Sequence, residues 1–127
     1  MIRIDLNPPI DFNNDNLQES LKENPITIQE LNVPLLSGGP IIVICPVFEH
    51  KYLVQFNSFK IWTLYRLLEA VWRAAYNSAQ WDIDNGLFGR QAADDFLTPR
   101  EWISEYSLGG FYIDPLRRII EVTGYEH

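Results

Sequence analysis

The sequence predicts an α+β fold: an antiparallel sheet packed against one long helix, about residues 59–78, with one or two short helices beside it. Three patterns predict it. Short runs near both ends alternate apolar and polar residues. The run 41–45 is apolar and mostly β-branched on both faces. One stretch near the middle repeats its apolar residues at helical spacing. The 127 residues suit a single domain, 1–127, large enough for a core without staples.

Ile2, Ile4 and Leu6 alternate with Arg3 and Asp5, a half-buried strand that Asn7-Pro8-Pro9 should end, because proline cannot donate to a ladder. Asn14 or Asp15 can cap a short helix over residues 16–23, which Asn24-Pro25 stops. Ile26, Ile28 and Glu30 alternate with Thr27 and Gln29, a weaker strand signal. Ser37-Gly38-Gly39-Pro40 reads as a turn. The run 41–45 then suits a strand covered on both sides or central to the sheet, and residues 51–57 alternate as its neighbour. Ser58 is the expected cap of the long helix. Ile61, Leu64, Leu68, Val71, Trp72 and Ala75 fall on its core stripe, with Arg66, Glu69 and Arg73 largely opposite. Residues 79–97 lack periodicity and read as a long loop. Thr98-Pro99-Arg100-Glu101 starts a second short helix, 99–108, closed by Gly109. Residues 111–113 and 118–123 form a final hairpin around Asp114-Pro115.

Composition excludes several classes. Hydrophobic residues at 46% and charged residues at 21% are near globular values, which argues against disorder. The longest apolar run, 40–48, is too short to cross a membrane, and the first residues carry no signal-peptide apolar core, so the expected location is cytoplasmic. The net charge of −7 argues against binding nucleic acid or an anionic membrane, both of which need clustered Lys and Arg. That charge is uneven. Segments 1–30 and 82–105 each hold six acids and two bases, while 31–81 holds two acids and four bases.

The search for chemistry excludes more than it finds. Neither phosphate-loop spacing occurs. In Asp82-Ile83-Asp84-Asn85-Gly86 the glycine stands at position five rather than the six of a calcium loop, and no glutamate closes it, so the segment reads as a turn. Cys45 lies in an apolar run, where a thiol is buried and inert, so a Cys45–His50 nucleophile is not expected. Carboxylate pairs are present at Asp82/Asp84, Asp94/Asp95 and Glu101/Glu105, but no nucleophile, base and orienter accompany them. No cofactor and no metal site are expected.

Two features point to protein binding. Segment 79–105 sets Trp81, Phe88, Phe96 and Trp102 among six acids. Aromatic anchors within a charged rim suit an interface, with Trp81 or Phe88 as anchor and Asp82, Asp84, Asp94, Asp95, Glu101 and Glu105 around it. Trp62 falls on the polar side of the helix beside Arg66 and Arg73, an alternative partner face unless Phe12, Leu17 and Leu21 of the N-terminal segment cover it. The alternatives are a small-molecule-binding domain or hydrolase using the loop carboxylates, and a structural subunit that closes a homo-oligomer.

The C-terminal stretch Gly109-Gly110-Phe111-Tyr112-Ile113-Asp114-Pro115, followed by Ile119-Ile120-Glu121-Val122-Thr123-Gly124-Tyr125, is similar to the closing hairpin of small bacterial immunity proteins of polymorphic-toxin and contact-dependent inhibition systems. The resemblance covers about fifteen residues and carries no catalytic motif. It implies an acidic inhibitor that binds one cognate toxin directly, with a basic toxin domain as the partner its charge would fit.

Overall fold

The computed structural model describes residues 1–11, 16–45, 52–55, 60–85, 107–123 and 125–126. Among these, the chain runs β1 (Ile2–Asp11), α1 (Leu17–Lys22), α2 (Ile28–Leu31), β2 (Pro34–Ser37), β3 (Ile41–Ile44), β4 (Tyr52–Gln55), β5 (Ile61–Thr63), α3 (Leu64–Asp84), β6 (Ser107–Asp114), β7 (Ile119–Val122) and β8 (Tyr125–Glu126). The fold is α+β, a sheet packed against one long helix with two short helices.

The main sheet has the order β1-β6-β7-β3-β4, with β8 also on β6. Most neighbours are antiparallel, but β3 and β7 run parallel, so the sheet is mixed rather than antiparallel throughout. β3 lies between β7 and β4, the central position its apolar run calls for. Ile41 and Val43 are buried, while Ile42 and Ile44 on the other face are half-buried. On the C-terminal hairpin, Phe111 pairs with Val122 and Ile113 with Ile120, and all four are buried in the core. Each such side chain contributes roughly 1.5–3 kcal/mol by leaving water.

Several elements depart from the sequence expectations, each for a local reason. β1 does not stop at Asn7-Pro8-Pro9 but continues to Asp11, with its register to β6 shifting between Asp5 and Ile10. The prolines are tolerated because β1 is an edge strand and the shift takes them out of the ladder. Opposite the first half of β1, Gly110 is required: a Cβ there would stand 2.5 Å from the Ile4 carbonyl oxygen. Helix α1 is capped by Asn16, whose side chain accepts the Glu19 N–H at 2.9 Å, rather than by Asn14 or Asp15. The expected strand at 26–30 is instead the short helix α2. Its Thr27 and Glu30 form a reciprocal capping box, a local signal stronger than three alternating residues.

The long helix begins later and ends later than expected. Residues 61–63 are strand β5, paired with β2, so Ser58 is not the cap. The cap is Thr63, whose hydroxyl accepts the Arg66 N–H at 3.3 Å. The helix then runs to Asp84, through the first part of the expected loop. The helix expected over 99–108 lies outside the described residues up to 106, while Ser107, Leu108 and Gly109 belong to β6. The turn at Asp114-Pro115 stands as expected.

Candidate functional site

Helix α3 organises the candidate surface. Leu67, Leu68, Val71, Ala74, Ala75, Ser78 and Ala79 are buried on its core face. Trp81 follows seven residues after Ala74 and eleven after Ala70, within about 20° of both around the axis. Those alanines are buried, yet Trp81 is 42% exposed. The helix thus carries an azimuth that is core-facing in its middle into solvent at its end, with an indole there. The last turn is held closed by Asn85, whose backbone N–H and side-chain Nδ2 both donate to the Trp81 carbonyl oxygen, at 3.0 and 2.8 Å. Asp84 is exposed beside it and accepts from Gln80 Nε2 at 2.7 Å.

Asp82 corrects the expected acidic surround. It is 0% exposed and belongs to the buried face of α3, so its carboxylate is not part of an outer rim. Phe88, Asp94, Asp95, Glu101 and Glu105 lie outside the described residues, as do Phe96 and Trp102. Trp81 and Asp84 are therefore the members of the first candidate set that the structure places together on the surface.

The alternative face is also corrected. Trp62 is 3% exposed, because strand geometry at residues 61–63 turns it inward, paired with Leu36. Its Nε1 donates to the Gly39 carbonyl oxygen at 2.9 Å. Ile61, expected in the core, is half exposed on the opposite face of β5. Arg66 is partly buried and lies 3.8 Å from Glu69; Arg73 is exposed. The N-terminal segment packs against α3, and Phe12, the first residue expected to cover Trp62, lies outside the described residues. Gln18 Nε2 donates to the Tyr65 hydroxyl at 2.7 Å, and Leu17 faces Trp72 and Tyr76.

That contact leaves a groove between α1 and α3 that the sequence analysis missed. Leu17, Trp72 and Tyr76 form its apolar walls, Asn16, Gln18, Glu69 and Arg73 its polar rim, around a cavity of about 280 Å³. The Trp72 and Tyr76 ring centroids are 6.0 Å apart at a 31° tilt. The signal was present: Tyr65, Trp72 and Tyr76 are spaced by seven and four, an aromatic stripe along one side of the helix. It merges with the edge of the core stripe, to which the helical spacing assigns Trp72.

On the sheet, Arg3 and Asp5 form an exposed ion pair at 2.9 Å, and the Arg3 guanidinium stands 5.8 Å from the Tyr112 ring centroid. The Asp5 carboxylate raises the Arg3 pKa above its ordinary value. Cys45 is fully buried, as expected, while His50 and His127 lie outside the described residues. Among the described residues no cluster of three His, Cys, Asp or Glu side chains is placed to hold a metal ion, and no helix is long and apolar enough to cross a membrane.

No protein-family model, no curated protein and no solved structure matches the chain.

Proposed function

We propose that the chain works by binding another protein, as an immunity-type inhibitor that blocks a basic toxin domain in the cytoplasm. The observation that carries this reading is the end of α3, where Trp81 is exposed at a core-facing azimuth with the Asp84 carboxylate nearby. A partner that covers the indole gains the apolar area the chain leaves in water, and carboxylates around it attract a basic surface. The excess of acids over bases in 82–105 extends that charge in sequence, and the net charge of −7 speeds encounter with a basic protein. The groove at Trp72 and Tyr76 adds a recess on the same helix. At about 280 Å³ it is at the small end of ligand pockets, which run to roughly 300–1,000 Å³, and it suits one side chain of a partner.

The test is calorimetric titration with the protein encoded immediately upstream of this chain, at two salt concentrations. The expected result is tight 1:1 binding that weakens with salt. Trp81→Ala should mainly speed dissociation. Asp84→Asn combined with Asp94→Asn and Asp95→Asn should slow association and flatten the salt dependence. Absence of binding by the wild type overturns the reading. Wild-type affinity in both variants moves the interface to the Arg73, Trp72 and Tyr76 side of α3.

A further inference from the structure

The outer edge of β1 differs between its two halves. From Pro8 onward it is closed. Pro8 and Pro9 have no N–H to offer. Side chains from α1 and its C-terminal end take carbonyls of this half: Asn24 Nδ2 donates to the Pro8 oxygen at 3.0 Å, and Ser20 Oγ to the Asp11 oxygen at 2.6 Å. Prolines and a covering element are common means of blunting a sheet edge. Over Ile2–Leu6 neither is present, and among the described residues no strand lies outside β1.

The phase of the ladder fixes what that open edge presents. The Gly110 carbonyl accepts the Thr123 N–H at 3.2 Å, so the Gly110 backbone is directed toward β7. Phe111 and Ile113 pair with Ile4 and Ile2, and alternation directs their backbone groups toward β1. Arg3 and Asp5 therefore turn their N–H and C=O groups outward. Their side chains stand on the sheet face away from the core, each 65% exposed and joined at 2.9 Å. Ile4 and Leu6 pack on the core side, and Ile2 extends that row, 39% exposed.

We propose that the chain pairs with a second copy of itself along Ile2–Leu6 of β1, joining two sheets into one across a two-fold axis at Ile4. Such an axis, perpendicular to the sheet, makes the two strands antiparallel and keeps both cores on one side. Arg3 then faces Asp5 of the second copy, and Asp5 faces its Arg3. These are the outward-directed residues, so each pair exchanges two backbone hydrogen bonds. Each guanidinium stands between two carboxylates, its own chain's and the other's. On the core side Ile4 meets Ile4, and Ile2 meets Leu6. The charges select this register. Sliding by two residues sets Arg3 against Arg3 or Asp5 against Asp5, and sliding by one loses the hydrogen-bond phase. The contact does not use Trp81 or Asp84, so it stands apart from the toxin-binding reading.

The experiment is sedimentation and light scattering of the whole chain. A strand edge this short gives a weak dimer, so the concentration is raised to about 1 mM, and the mass should climb from one chain to two. Arg3→Asp and Asp5→Arg each set like charges opposite at both symmetric positions, and each should raise the dimer dissociation constant about tenfold. The double variant Arg3→Asp/Asp5→Arg restores opposite charges in the same register and should recover the wild-type constant. Both side chains are exposed, so all three variants should keep the wild-type circular dichroism. A wild type that stays a single chain at about 1 mM overturns the proposal. So does a dimer that both single variants leave unchanged, and so does a double variant as weak as the singles.

Discussion

Two tryptophans at opposite ends of α3 have exchanged the places a helical reading assigns them. Trp62, on the polar side of an ideal helix, is buried and hydrogen-bonded to Gly39. Trp81, at the azimuth of two buried alanines, is in solvent. At the first end the cause is a change of element: residues 61–63 are extended, side chains alternate with period two, and Trp62 points inward. At the second end the element is unchanged, and the azimuth simply outlasts the core beneath it. Periodicity says which residues share a face. It does not say where along the chain that face is covered.

The largest effect that can break this contrast is Trp62→Ala. It should cost about 3–5 kcal/mol in urea unfolding, the range for removing a large buried aromatic, and a loss below about 1 kcal/mol would mean the indole fills no essential space. Leu68→Ala, in the covered middle of α3, should cost about 2–5 kcal/mol by the same measurement. Thr63→Ala sharpens the comparison at the strand–helix boundary. Loss of the hydroxyl that caps the Arg66 N–H should cost about 1 kcal/mol, while Thr63→Ser should retain most of it. Trp81→Ala should be the mildest, within about 0.5 kcal/mol of wild type in stability. A cost of several kcal/mol there would make Trp81 a structural residue and remove the anchor of the proposed interface.

The α+β class, the strand at 41–44, the burial of Leu68 and Cys45, and the Asp114-Pro115 turn were legible because each rests on local chemistry or on an unbroken period. What was not legible depends on partners distant in sequence. β2 and β5 are short, and neither alternates clearly; they become strands by pairing with each other, and that pairing moved the helix start from 59 to 64. The parallel contact of β3 with β7 joins segments far apart in the chain. At the candidate site, exposed Trp81 and Asp84 were readable from composition, whereas Asp82 was not. Its burial follows from its place on the core stripe of a helix that runs past the expected end. The groove at Trp72 and Tyr76 is completed by Asn16, Leu17 and Gln18 at the start of a six-residue helix some fifty residues earlier in the chain.

The position of the last hairpin in the main sheet bears on how the chain is made. β6 and β7 follow β1, β3 and β4 in the chain, yet they lie between them in the sheet, with β1 on one side and β3 on the other. Among the described residues, a nascent chain that ends before residue 107 carries β1 on one hand and the β3–β4 pair on the other, with no strand to join them. Sheet assembly must wait for residues 107–122 to leave the ribosome, and the hairpin then enters as a wedge rather than adding to an edge. Such late, long-range pairing places folding toward the slow, millisecond-to-second end of single-domain rates and makes the unfinished chain dependent on protection from aggregation.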